Sequence, residues 1–280
     1  CSTEVSFEEI CETVKAYITE MPYHIFRNEE NLGSTKTFEK LTLLAAGEYI
    51  AYCDQDDIWH RDKLEICLKT LIETSGVLAF SDMIIIDGKG KKTADSITKV
   101  RKHHKFYSGA GLAEILLFSN FVTGCTILIK ADKAKDAVPF CPHMVHDHWL
   151  ALYCAVNEKL EFINQRLIDY RIHNNSQTLM MAGVVDKKSY LEIRIEASLK
   201  KFLWLQGRLA EEADLNNVIS RAVEWMTARK EHFHGSLRSS LTVWKYRRFS
   251  YLTSLFELLA PYVPDKVFMF IIGLKKKNII

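Results

Sequence analysis

Three carboxylates stand within four residues at Asp54-Gln55-Asp56-Asp57, directly after the apolar stretch 48–53. Like charges packed this closely repel one another, and the arrangement is costly unless a cation or solvent offsets it. At the end of a strand, where open α/β sheets bind their ligands, the cluster offers hard oxygen donors. Such donors suit Mg²⁺ or Mn²⁺ shared with a diphosphate. A calcium loop of the EF-hand kind fits poorly. Counted from Asp54, acids fall at the first, third, ninth (Asp62) and twelfth (Glu65) places, but Trp59 holds the sixth, where the turn needs Gly. A solvated acidic turn capping the next helix is the plain alternative.

Two further clusters carry titratable groups. His146-Asp147-His148-Trp149 opens an apolar helix, where Asp147 serves either as a cap or as a base. With His143 it spells His-x-x-His-x-His, a set open to a metal-dependent hydrolase, although it matches no strong zinc spacing and no H-E-x-x-H pattern. The run Asp169-Tyr-Arg-Ile-His173-Asn-Asn-Ser176 puts an imidazole in a polar loop after a strand, as a metal ligand or as a structural group.

Elements must hold these groups in place. Ser6-Phe-Glu-Glu9 is a capping box that predicts a helix to about Glu20. Weak alternation predicts a strand over 23–27. Ser34 caps a helix over 34–46, with Gly47 as its left-handed end. The pattern then gives a strand over 48–53 and a helix over 60–73 with Leu64, Leu68, Leu71 and Ile72 on one face. A strand over 77–87 is closed by the turn Asp87-Gly-Lys-Gly90. Residues 91–105 have no period and read as a loop. A helix follows over 108–119, a strand over 123–130, a helix over 146–156, and a strand pair over 160–163 and 167–172. Strands alternating with helices of this length specify an α/β domain around a mostly parallel sheet. After about Gln177 the strand signal stops, and Leu191, Ile195, Leu199 and Phe202 keep helical spacing. The chain thus divides into an α/β part, 1–178, and an all-α part, 179–280.

Composition sets the outer bounds. A chain of 280 residues with 48% hydrophobic and 26% charged side chains builds a sizeable core, which excludes a disordered or collagen-like protein. Seven scattered cysteines with no C-x-x-C pair read as buried thiols of a reducing compartment. No stretch reaches the roughly 18 apolar residues of a membrane-spanning helix, and no signal peptide is evident. The chain opens on Cys1 rather than Met, which predicts a processed or truncated start. Its front is acidic and its rear basic, suiting a charged ligand in the first part and an anionic surface in the second. Lys245, Arg247 and Arg248 beside Trp244, Tyr246 and Phe249, with lysines at 275–277 after an apolar run, suit an anionic lipid surface. Ordinary packed amphipathic helices are the alternative. No motif concentrates the basic residues for nucleic acid, so that partner is excluded.

Taken together, several runs resemble glycosyltransferase family 2, and within it the rhamnosyltransferase-type enzymes of bacterial polysaccharide synthesis. They are Asn31-Leu-Gly33; Ala46-Gly-Glu-Tyr-Ile-Ala-Tyr-Cys-Asp-Gln-Asp-Asp-Ile-Trp59; Lys63-Leu64; Phe80-Ser-Asp82; Asn120-Phe-Val-Thr-Gly-Cys-Thr126; His146-Asp-His-Trp149; and Tyr170-Arg-Ile-His173. The resemblance covers about residues 1–178. It implies a GT-A fold whose first two strands, holding the nucleotide base, precede Cys1. It implies that Asp54 and Asp56 fill the D-x-D element, with Asp56 a ligand of Mn²⁺ or Mg²⁺, Asp54 nearer the ribose and Asp57 supporting the loop. Asn31 and Gly33 would lie beside the nucleotide, and Thr123, Gly124, His148 and Trp149 along the sugar and acceptor pocket. Asp147 would be the general base and His173 a second metal ligand. The implied activity is inverting transfer of a sugar from a nucleotide-diphosphate donor to a glycan or lipid-linked acceptor. It would take place in the cytoplasm, at the inner face of the plasma membrane. A fold-sharing but inactive binding module and a metal-dependent hydrolase are the competing functions.

Overall fold

The computed structural model describes residues 5–101, 103–172 and 183–276. The first helix, α1 (Phe7–Tyr17), starts where its capping box predicts. Ser6 Oγ accepts the N–H of Glu9 at 3.1 Å, and Glu9 Oε2 accepts the N–H of Ser6 at 2.9 Å. Residues 23–27 are irregular rather than extended in a sheet, since no described strand pairs with them. Alternation without a partner edge does not make a strand. Helix α2 (Gly33–Leu44) begins on Gly33 at φ +74 and is closed by Ala45, so Gly47 is not its left-handed cap.

Six strands make one sheet: β1 (Tyr49–Ala51), β2 (Ile58–Trp59), β3 (Leu78–Ile86), β4 (Lys92–Ala94), β5 (Leu128–Lys130) and β6 (Leu160–Arg171). Its order is β1-β5-β3-β6-β2, with β4 added to β3. Only β3 and β6 run parallel; every other pairing is antiparallel, so the α/β sheet is mixed. The alternation of helices and strands cannot show this, because β5 inserts antiparallel between β1 and β3, and β2 turns back along β6. The expected strand pair at 160–172 is one strand of 12 residues. Its exposed centre, Asn164-Gln165-Arg166, looks like a turn in sequence but passes alongside a register irregularity near Ser81 and Asp82.

The aperiodic stretch after β3 also has structure. Gly90, at φ +81, closes the turn into β4, and a single helical turn, α4 (Ile97–Val100), follows. The open N–H groups of α4 are met by Ser96 Oγ and by Asp82 Oδ1. On α3 (Lys63–Thr74) the buried face is Lys63, Cys67 and Leu71, whereas Leu64 and Ile72 face solvent. Two apolar faces compete on this helix, and packing on β3 and β6 selects the one carrying the lysine.

The remaining helices of the first part are α5 (Ala113–Phe118), α6 (Ala131–Asp136) and α7 (His146–Asn157). Beyond residue 183 the chain is helical, as expected: α8 (Lys187–Tyr190), α9 (Ala197–Arg208), α10 (Ala213–Phe233), α11 (Ser239–Lys245), α12 (Tyr251–Leu259) and α13 (Asp265–Lys276). A single core cluster runs from Phe80, Leu116 and Trp149 into Phe202, Leu205 and Trp225 of α9 and α10. A second cluster gathers Tyr190, Phe268 and Ile272. Beside it, Arg229 forms a buried two-pronged ion pair with Glu257, which also accepts the Tyr190 hydroxyl at 2.7 Å. Tyr246 and Phe249 turn inward: Tyr246 donates to Glu224, and Phe249 stacks on Phe118 at 4.6 Å. They are therefore not part of an outward basic–aromatic surface. Among the described residues no helix is long and apolar enough to cross a membrane.

Candidate active site

The acidic turn links β1, one edge of the sheet, to β2, the other edge. Residues 52–57 therefore carry the three carboxylates across the width of the sheet, over the segment that leads into β5. Arg171, the last residue of β6, fastens them there. Its N–H donates to Asp57 Oδ1 at 2.9 Å, its Nε to the Asp56 carbonyl at 2.8 Å, and its Nη1 to the Asp87 carbonyl at 2.9 Å. Sequence reasoning passed over Arg171. The signal available was its place inside the Tyr170–His173 run.

Asp54, Asp57 and Cys125 bring ligand atoms within 4.8 Å of one another, the only such group of three among the described residues. Burial, and then the charges of Asp57, Asp56 and Asp147, push Asp54 up to about 6. Burial also raises Asp57, against the Cys125 thiol and the Arg171 N–H that favour its charge; its Oδ2 is shut from solvent and no N–H or O–H reaches it. An orphaned carboxylate oxygen beside a second carboxylate is the donor set a hard divalent cation fits. The Cys125 thiol keeps its proton, because burial and the facing carboxylates hold it well above the usual thiol range. Asp56, expected as a direct ligand, is outside this group. His173 lies outside the described residues, two positions beyond Arg171.

Asp147 stands in the first turn of α7. Its Oδ2 accepts the N–H of Gly124 at 2.9 Å, and its Oδ1 accepts the Asn120 amide at 3.1 Å and the N–H of His148. Burial lifts it to about 6 against these three donors, which favour the ionised form. Gly124 and Cys125 are adjacent, so one peptide links the Asp147 carboxylate to the Asp54–Asp57 group. Gly124 is required by close approach: a Cβ there would lie 2.6 Å from His146 Nε2. Thr123, half-buried, precedes the short 3₁₀ turn Gly124–Thr126 and accepts the Thr126 hydroxyl through its carbonyl.

Backbone carbonyls hold the side chains of His148 and Trp149. His148 Nε2 meets the Leu116 carbonyl at 2.5 Å, and burial drives its pKa down to about 3. Trp149 is wholly buried, with its indole N–H on the Ala137 carbonyl at 2.8 Å. One helical turn presents its side chains in every direction, and here the core claims both. His146 stacks on Phe38 at 4.0 Å, packs against Tyr52, and is held neutral by burial with a pKa near 4. His143 is exposed and joins no metal-binding group, so the histidine set of a hydrolase is not assembled. Asn31 Oδ1 accepts the N–H of Gly33 at 2.9 Å and so serves the start of α2. Gly33 lines a cleft of about 540 Å³ with Thr35, Glu39, Phe140 and Trp204, which shares no lining residue with the acidic turn.

Residues 2–136 match the model of Glycosyl transferase family 2. The dTDP-rhamnosyl transferase RfbG of Shigella flexneri is 24% identical over 232 residues, 77% of this chain and 72% of that protein. TuaG of Bacillus subtilis, named as a teichuronic acid biosynthesis glycosyltransferase, is 26% identical over 156 residues. That match covers 55% of this chain, and the chain spans 58% of TuaG. Among solved structures, S. aureus TarS 1–349 in complex with UDP-GlcNAc is similar with a TM-score of 0.51 and 16% identity. The match covers 94% of this chain and 70% of that one, and it establishes the GT-A fold class.

Proposed function

Because the chain carries a glycosyltransferase family 2 domain, we propose that it is an inverting, divalent-cation-dependent transferase. It moves a sugar, rhamnose in the first instance, from a nucleotide-diphosphate donor to a glycan or lipid-linked acceptor of a cell-surface polysaccharide. The observation that carries this reading is the junction at Gly124 and Cys125. That single peptide ties one raised carboxylate, Asp147, to a second group of raised carboxylates, Asp54 and Asp57.

The two halves suit the two ends of one displacement. An acceptor hydroxyl must lose its proton as it attacks the anomeric carbon, and we assign that proton to Asp147, whose carboxylate is oriented by three donors. The nucleoside diphosphate departs with growing negative charge, so it belongs at the acidic turn only if a cation stands between them. Mn²⁺ or Mg²⁺ fits the carboxylates of Asp54 and Asp57, with Asp56 and His173 as the further ligands the family resemblance implies. The ion would supply charge neutralisation of the leaving diphosphate. Arg171 keeps the turn fixed while the charge changes.

The test is transfer from a panel of nucleotide sugars that includes dTDP-rhamnose, with Mn²⁺ or with a chelator. Transfer that requires the metal, together with an Asp147→Asn protein that binds donor normally but turns over about 10²–10⁴-fold more slowly, is the expected result. Asp147→Asn turnover at the wild-type rate rejects the base assignment, and full transfer under chelation rejects the metal.

A further inference from the structure

Helix α11 has two apolar faces, and the fold uses only one. Val243 and Ser239 are buried against the body of the helical part, and the following turn inserts Phe249 against Phe118 and Trp225. On the outer face, Leu237 and Leu241 remain 70% and 73% exposed, and Trp244 is 42% exposed. Leu241 and Trp244 lie one turn apart on α11, with Leu237 in the turn before it and the exposed Arg248 in the short 3₁₀ turn after it. The Arg247 guanidinium lies 4.3 Å over the Trp244 ring, and the ring of Tyr251, itself 53% exposed, is 6.4 Å from Trp244.

Charge selects the occupant of this face. From residue 232 to 256 the sequence holds Arg238, Lys245, Arg247 and Arg248 and not one Asp or Glu. The neighbouring α10 supplies Glu224, which pairs with Lys245 at 3.4 Å and accepts Tyr246, so it leaves Arg247 and Arg248 uncompensated. A second copy of this chain would bring the same cations to meet these, which like-charge repulsion opposes. Exposed leucines, a Trp and a Tyr at the boundary level, and arginines whose stems cross an apolar strip to reach headgroups form an interfacial pattern.

We infer that the outer face of α11 and the start of α12 docks on an anionic lipid bilayer, with Leu237, Leu241, Trp244 and Tyr251 entering the boundary and Arg247 and Arg248 meeting headgroup phosphates. The anchor lies close to the site. Phe249 stacks on Phe118 of α5, and α5 takes the His148 side chain of α7, the helix that carries Asp147. The docking is argued from this surface alone and does not rest on the transferase reading.

The experiment is flotation of the full chain with vesicles of phosphatidylcholine, alone or with phosphatidylglycerol. Binding to the mixed vesicles only, reversed by high salt, is expected. The pair Arg247→Gln and Arg248→Gln should weaken it roughly 30-fold, and Leu241→Asp should abolish it with an unchanged circular-dichroism melt. Lys266→Gln, away from this face, should bind as wild type. Because Leu241 is already exposed, a folding failure there is separable by the melt, and the arginine pair then decides. Equal binding to both vesicle types overturns the inference, as does no binding. So does a self-association that Leu241→Asp dissolves while vesicles are ignored. Sugar transfer to a soluble acceptor is scored separately, so loss of one result leaves the other intact.

Discussion

Adding one methyl group at Gly124 tests whether the Asp147 carboxylate is positioned by its neighbours or merely near them. In Gly124→Ala the new Cβ would lie 2.6 Å from His146 Nε2 and 2.9 Å from His146 Cε1. The imidazole cannot retreat, since it stacks on Phe38 at 4.0 Å and packs on Tyr52, whose hydroxyl is fixed to Thr42 at 2.7 Å. The backbone at 124 must move instead, and its N–H is the donor that holds Asp147 Oδ2. Overpacking of this kind costs about 1–3 kcal/mol, a fall in Tm of roughly 2–5 °C in a chain of this size. A shift of the base by ~1 Å costs about 10²-fold in kcat, while donor KM stays near wild type. Thermal unfolding and steady-state transfer measure both quantities. Adding His146→Ala removes the obstructing ring, so the double variant should recover most of the lost turnover. Gly124→Ala with full activity and an unchanged melt refutes the reasoning, because the contact would then have been absorbed without moving the carboxylate.

Three more outcomes follow from the same geometry. Asp147 must be ionised to act, and burial raises it to about 6; kcat/KM should therefore climb through pH 6 and level above it, and Asp147→Glu should displace that limb. The same raised carboxyl takes up its proton first in the folded state, so its own contribution to stability grows as pH falls from about 6 toward 4, opposite in sign to that of the buried His146 and His148; chemical denaturation of the metal-free protein and of Asp147→Asn across that window should show wild type gaining on the variant as pH falls. Arg171→Met removes the guanidinium bonds to the Asp56 and Asp87 carbonyls while the backbone N–H stays on Asp57, so the acidic turn is loosened rather than freed; isothermal titration should show metal-dependent donor binding weakened about tenfold, with the melt little changed. Glu257→Gln leaves the wholly enclosed Arg229 without its counter-charge and should cost about 3–5 kcal/mol in a urea titration.

Some of this was legible in the residues and some was not, for definable reasons. The capping box at Ser6, the carboxylates after β1 and the Asp at the head of α7 are local signals, and local chemistry fixes them. The class, α/β followed by helices, also came through the alternation of patterns. The directions of the sheet did not, because pairing joins residues far apart in the chain: Ala51 with Leu128, and Leu78 with Leu160. The polar centre of β6 was misread for the same cause, since an exposed strand middle and a turn share a composition. At the site, residues 146–149 span one helical turn, and only packing decides that Asp147 meets Gly124 and Asn120 while His148 meets the Leu116 carbonyl and Trp149 enters the core. Cys125 and Arg171 were present in the quoted runs, yet nothing in their spacing shows that one lies against Asp57 and the other clasps it.

Lys63 offers a last consequence. It is completely enclosed at the foot of α3, its ammonium has no hydrogen-bond partner, and it sits 3.6 Å from the centre of the Trp59 ring. Trp59 follows Asp57 by two residues, and its own ring N–H is likewise unpartnered. An indole pinned under one charge and a short step from several others is a chromophore wired to the acidic turn. Delivery of a divalent ion alters the electric field across that ring, so the native emission spectrum registers loading with no added dye. Trp59→Phe silences this signal while the other four indoles keep glowing unchanged.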